Sequence, residues 1–187
     1  MRKLVRLLLV AATIALAVTP SATPASGAPA PAAAKPAVGK DTGLKIDWAW
    51  IHFLPTVQSD HLTAYDTDHL STVCYAWGDG NEYWDVVYDR TGLRTGYTPE
   101  SYLTDNSFQP CSTVGQTAHV FQPVAWMHLH TDPTWEYQIV NPGDTIGVIC
   151  SVYDNNLRWD LVVNHSQQQM VGFVDSSAVA ANIPADC

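Results

Sequence analysis

Apolar and polar positions alternate in short runs along the chain from about residue 45 onward. Ile146, Val148, Cys150 and Val152 alternate with Gly147, Ile149 and Ser151. Trp84, Val86 and Tyr88 alternate with Tyr83, Asp85 and Val87, and Trp159, Leu161 and Val163 follow the same rule. A period of two turns one side of a strand toward a core and the other away from it. Turn chemistry separates the runs: Gly78-Asp79-Gly80-Asn81, Arg90-Thr91-Gly92, Asn141-Pro142-Gly143-Asp144 and Asp154-Asn155-Asn156. Short strands at this spacing predict an all-β chain folded as small, strongly bent barrels or sandwiches. No stretch after residue 45 carries a helical stripe of about twelve residues.

The pattern occurs twice. Ala49-Trp50-Ile51-His52 returns as Ala125-Trp126-Met127-His128, Cys74 as Cys150, Gly96-Tyr97 as Gly172-Phe173 and Cys111 as Cys187, each 76 residues on. Trp84-Asp85-Val86-Val87 returns as Trp159-Asp160-Leu161-Val162 at an offset of 75. The second copy therefore has one residue fewer between Cys150 and Trp159 and regains it before Gly172. Trp, Cys and Gly are scarce or punctuating types, so their agreement marks a true internal repeat. Two homologous domains follow, 48–114 and 115–187.

The repeat bears on the cysteines as well. Four Cys allow three pairings. The two Cys of each copy are 37 apart, and a repeated unit most simply pairs within itself, giving Cys74–Cys111 and Cys150–Cys187. Closing such a loop contributes about 3–4 kcal/mol in the chain-entropy view, a sizeable share for a domain with so thin a core. A zinc site made from all four would need a C-x-x-C pair, which the chain lacks.

Arg2, Lys3 and Arg6 precede the apolar run Leu7 to Val18, and small residues follow from Ser21 to Ala30. The run is too short to cross a bilayer comfortably and fits a secretory signal, cleaved after Ala25 or Ala28. We take 1–28 as the signal peptide and 29–47, rich in Ala and Pro, as a disordered tether without a packed core. The expected location is extracellular or on the cell wall, where disulfides persist. The whole chain of 187 residues carries 9 Lys and Arg against 18 Asp and Glu, a formal charge of −9. Removing the signal leaves six basic residues, and such an acidic surface disfavours nucleic acid and anionic membranes as partners.

Three stretches in order carry a family resemblance: Pro142-Gly143-Asp144-Thr145-Ile146, Trp159-Asp160-Leu161-Val162 and Gly172-Phe173-Val174-Asp175. The first copy matches with Thr67-Asp68-His69-Leu70, Tyr83-Trp84-Asp85-Val86-Val87 and Gly96-Tyr97-Thr98-Pro99-Glu100-Ser101-Tyr102-Leu103. Both copies resemble the bacterial SH3-like domain of secreted actinobacterial proteins. The family's usual opening, of the Asn-Val-Arg-Ser-Gly-Pro type, is replaced by Phe53-Leu54-Pro55-Thr56 and by Leu129-His130-Thr131-Asp132-Pro133-Thr134. The resemblance implies two small SH3-like β-barrels in tandem. It also implies a non-catalytic binding or targeting module, for cell-wall peptidoglycan or a peptide.

Loop aromatics are the expected ligand platforms: Trp77, Tyr83, Trp135, Tyr137 and Tyr153 lie beside turns. Trp84 and Trp159 read as core, and Trp50 and Trp126 as residues closing one end of each barrel. His128 and His130 form an H-x-H pair, but no third ligand is fixed, so no metal or other cofactor is expected. Asp79-Gly80-Asn81-Glu82 reads as a polar turn, since it lacks calcium-loop spacing. Asn164-His165-Ser166 matches a glycosylation acceptor by pattern alone. The chain contains no G-x-S-x-G, H-E-x-x-H or P-loop, so no enzymatic activity is expected. An acidic interaction or inhibitor protein with a basic extracellular partner is the alternative reading.

Overall fold

The computed structural model describes residues 39–134, 136–179 and 186–187. The expected signal peptide, the tether up to residue 38 and Trp135 lie outside the described residues. The first copy forms β1 (Lys40–Thr42), β2 (Trp48–His52), β3 (His61–Tyr65), β4 (Leu70–Trp77), β5 (Tyr83–Asp89) and β6 (Arg94–Pro99). The second forms β7 (Gln116–His119), β8 (Ala125–His128), β9 (Tyr137–Val140), β10 (Thr145–Asp154), β11 (Leu157–Asn164) and β12 (Met170–Asp175). Each copy is one six-stranded antiparallel sheet, ordered β1-β4-β5-β6-β2-β3 and β7-β10-β11-β12-β8-β9. The second order is the first shifted by six, so the repeat in sequence is a repeat in topology. The all-β expectation holds as two six-stranded antiparallel sheets; among the described residues no ladder joins β1 to β3 or β7 to β9.

Details of register repeat too. A bulge interrupts the β4–β5 ladder between Thr72 and Cys74, and its equivalent lies between Val148 and Cys150. Bulges bend and twist a strand locally, and here they curl both sheets at the same place. The one-residue slip has a local cause. Trp77 pairs with Tyr83 across five residues, 78–82, whereas the equivalent Tyr153 pairs with Arg158 across only four, 154–157, because there Asp154 also pairs with Leu157 and closes the turn on Asn155-Asn156. Both Asn adopt positive φ, 49° and 64°, as a tight two-residue hairpin requires.

The tether is shorter than expected, because Lys40–Thr42 already pairs with Leu70–Thr72. Gly39 and Gly115, 76 apart, both have positive φ (76° and 82°), and a Cβ on Gly39 would stand 2.0 Å from the Thr72 carbonyl oxygen. The repeated unit therefore begins at these glycines, not at residue 48. Polar Lys-Asp-Thr at a sheet edge shows no alternation that would reveal a strand.

Cys74–Cys111 and Cys150–Cys187 are both bonded, and no cysteine is free. The two disulfide tails are seated alike: Tyr75 bridges Pro110 in parallel, and the equivalent Ser151 bridges Asp186. Both bridges suit an oxidising, extracellular environment. Among the described residues no helix is long and apolar enough to cross a membrane.

The copies share one core. Val86, Tyr88 and Tyr97 from the first and Leu161, Val171 and Phe173 from the second are buried in a single cluster. Tyr88 meets Phe173 edge-on at 6.2 Å. Phe53 of the first copy is buried among Met127, Leu129 and Val140 of the second. The backbone crosses this seam reciprocally: Thr95 N–H donates to Leu129 O (2.8 Å) and Val171 N–H to Phe53 O (3.0 Å). Thr95 and Val171 are equivalent, as are Phe53 and Leu129. Exchange of the same contact in both directions is the signature of a two-fold relation, here within one chain.

Candidate binding grooves

The close approach of β2 to β6 begins with a glycine. A Cβ on Gly96 would lie within 2.9 Å of the Ile51 and His52 backbone, and one on Gly172 would lie 2.4 Å from Met127 Cγ. His52 then pairs with Tyr97 across the sheet, and His128 with Phe173. Alternation along β2 buries Ala49 and Ile51 on one side and turns Trp48, Trp50 and His52 to the other. In β8, Ala125 and Met127 are buried while Trp126 and His128 face the opposite way.

That second side carries a groove in each copy. The first, of about 450 Å³, is lined by Trp48, Trp50, His52, Trp84, Pro99 and Tyr102 among others. The second, of about 510 Å³, is lined by the equivalents Val124, Trp126, His128, Trp159, Asp175 and Ala178. Both lie in the size range of small-ligand sites. Trp50 and Trp126 keep 45% and 53% of their surface accessible, and Trp48 keeps 50%. They do not close barrel ends as expected; they wall open grooves. Trp84 and Trp159 are buried, as expected of core residues, and form the floors.

The ring geometry is duplicated. His52 stands edge-on to Trp84 at 5.7 Å, and His128 edge-on to Trp159 at 5.8 Å. His61 lies tilted 38° against Trp50 at 4.5 Å, and its equivalent Tyr137 lies tilted 38° against Trp126 at 5.4 Å. Each groove is therefore a wall of an exposed Trp backed by a second ring, with a buried His and Trp behind. Such tilted and edge-on pairs contribute about 0.5–1.5 kcal/mol each beyond their burial and hold the rings in place before any ligand arrives. His52 donates Nδ1–H to the Ser59 carbonyl at 3.1 Å. Its protonation is held below the usual imidazole range, chiefly by burial, with the Ser59 bond opposing and His61 reinforcing the shift. The first groove thus offers a neutral imidazole and flat aromatic faces, and Asp47 adds a carboxylate at its rim.

Of the loop aromatics expected from sequence, Tyr137 joins a groove through Trp126 and His128. Trp77 and Tyr83 form a separate exposed cluster, edge-on at 4.9 Å, with Tyr75 edge-on to Tyr83 at 5.2 Å. Tyr153, equivalent to Trp77, is exposed at the end of β10. The sequence places Trp50 and Trp126 at barrel ends and offers His128 only as half of an H-x-H pair, and it does not mark Trp48, His52 or His61 as ligand contacts. Their signal was available: Trp and His two apart on a strand whose intervening residues are apolar.

The other sequence features fall away from the grooves. His130 lies beyond β8, where its Nδ1 accepts the Asp132 N–H at 2.7 Å and its backbone pairs with Arg94. It lines a cleft at the seam and stands apart from the His128–Trp159 pair. Among the described residues no group of three or more metal-ligating side chains forms. Asp79 accepts from Thr56 through its carboxylate and from Trp84 Nε1 through its carbonyl, so the polar loop braces the groove floor. Asn164 is buried and donates to Asp144 at 2.8 Å.

Asp85 and its equivalent Asp160 are wholly inaccessible carboxylates; a third, Asp89, is equally buried but has the Arg94 guanidinium against it. Asp85 accepts the Ser107 N–H at 2.8 Å, yet burial pushes its carboxyl up to about 7, the Ser107 bond opposing and Glu100 adding to the shift. Asp160 is also raised, chiefly by burial, but Ser176 and Ser151 hydroxyls and Arg158 oppose the change.

No protein-family description, curated protein or solved structure matches the chain.

Proposed function

We propose that the chain is a secreted, non-catalytic binding protein built from two SH3-like modules and directed to cell-wall peptidoglycan. The observation that carries the reading is the ring constellation Trp50–His61–His52–Trp84, repeated as Trp126–Tyr137–His128–Trp159. Maintaining two exposed Trp side chains in water is unfavourable unless something covers them. A sugar ring suits the site, since its C–H face stacks on indole while its hydroxyls reach Asp47 in one groove and Asp175 and Ser177 in the other. An acidic surface disfavours polyanions and leaves neutral or weakly charged wall material as the fitting class. Asp85 and Asp160 are sealed from solvent, and we assign them a structural part.

The test is retention on purified sacculi at low and moderate salt. Wild type should be retained, and Trp50→Ala combined with Trp126→Ala should weaken retention at least tenfold, or ~1.4 kcal/mol. Both side chains are half exposed, so the double variant should keep its fold by circular dichroism. No retention of wild type would overturn the proposal.

A further inference from the structure

Each groove is complete within its own copy. The first draws its lining from residues 46–102 and the second from residues 122–178, with none in common. The seam between the copies runs through the Thr95–Leu129 and Val171–Phe53 backbone bonds and the shared cluster around Tyr88 and Phe173, and where it comes near the grooves, at the Gln138–Asp60 bond beside His61, it uses residues outside both linings. Those backbone bonds are reciprocal, so the grooves are related by the same two-fold. Such a relation sets two equivalent sites on one rigid body and does not merge them into one.

We infer that one molecule takes two ligand equivalents at once and thereby joins two separate wall strands. This inference rests on the reading of the grooves as wall-binding sites. The chain acts as a cross-bridge with one ligand on each copy, and its buried common core keeps the two sites at a fixed separation. The first groove should be the tighter, because Trp48 and Tyr102 present aromatic surface where the second has Val124 and Ala178. Linking two such sites also raises avidity on a repetitive polymer without any added contact.

The experiment uses the full chain and a purified disaccharide–peptide fragment of peptidoglycan. Titration calorimetry should give two fragments per wild-type chain and one per chain for Trp50→Ala or Trp126→Ala. On suspended sacculi, wild type should raise light scattering by clumping, whereas each single variant should stay bound without clumping. A wild-type stoichiometry of one, or clumping by the single variants equal to wild type, would overturn the bridging role while leaving wall binding intact. Failure of wild type to bind sacculi at all would overturn both readings.

Discussion

The two copies agree where backbone meets backbone and part company in their polar interiors. Both keep the edge glycine, the bulge, the disulfide and the glycine under the groove strand. In the first copy Arg94 donates to Asp89 (2.6 and 2.9 Å), to Asp68 (2.6 Å) and to the Thr63 carbonyl (2.6 Å). The equivalent positions in the second copy are Met170, Asn164 and Asp144. There Asn164 donates to Asp144 at 2.8 Å and Gln167 donates to it at 2.6 Å. A cation between two carboxylates and a carboxylate between two amides thus fill the same space. The fold demands a satisfied polar group there and is indifferent to its charge, because desolvation cancels much of what a buried ion pair gains.

Breaking the ionic version should have the largest effect. Arg94→Met copies the second copy's residue without its amides and leaves Asp89, wholly buried, facing Asp68 unpaired. Denaturant unfolding should show a loss of about 3–5 kcal/mol. Adding Asp89→Asn should recover a good part of it, and if it does not, the equivalence of the two arrangements fails.

The buried carboxylates sharpen the contrast next. Asp85 is raised above its unfolded range, so the protonated form favours the fold. Asp85's own contribution to stability should be complete below about pH 4 and be lost as pH climbs through about 7, by at most about 4 kcal/mol. Asp85→Asn should flatten that slope in thermal melts, its amide donating toward the otherwise unpartnered Thr98 hydroxyl on the paired strand. Asp160→Asn should flatten it less, because two hydroxyls already donate to Asp160. Equal responses would erase the distinction.

The smallest difference between the copies is expected at the disulfides. Each closes a loop of 37 residues, and removing either pair should cost about 3–4 kcal/mol. Since the loops are equal, the two losses should agree to within about 1 kcal/mol by denaturant unfolding. A large inequality would show that one tail depends on its bridge more than the other.

Much of this architecture was legible in the residues. Repeated Trp, Cys and Gly marked the duplication, and the spacing of 37 chose the disulfides. Alternation marked β5, β10 and β11, and Asn155-Asn156 announced its own hairpin. The short polar edge strand Lys40–Thr42 was not legible, because it buries too little to leave a period. Nor were the grooves, for alternation tells which side chains share a face but not whether that face meets water, a core or a ligand. Alternation reads Trp84 as core, and it is buried, but it does not tell that Trp50, on the outward side of β2, is left open beside a groove. The common core was hidden for the same reason, since alternation puts Tyr88 on a buried face without telling that Phe173 of the other copy lies against it.

The reciprocal backbone bonds across the seam have the form of a symmetric pair of subunits. Here both partners belong to one polypeptide, so dilution cannot separate them and neither half ever waits for a mate. Two identical subunits must accept every substitution twice, once in each. A pair joined end to end can change one member and spare the other, and this is how one copy can carry Arg94 where the other carries Met170.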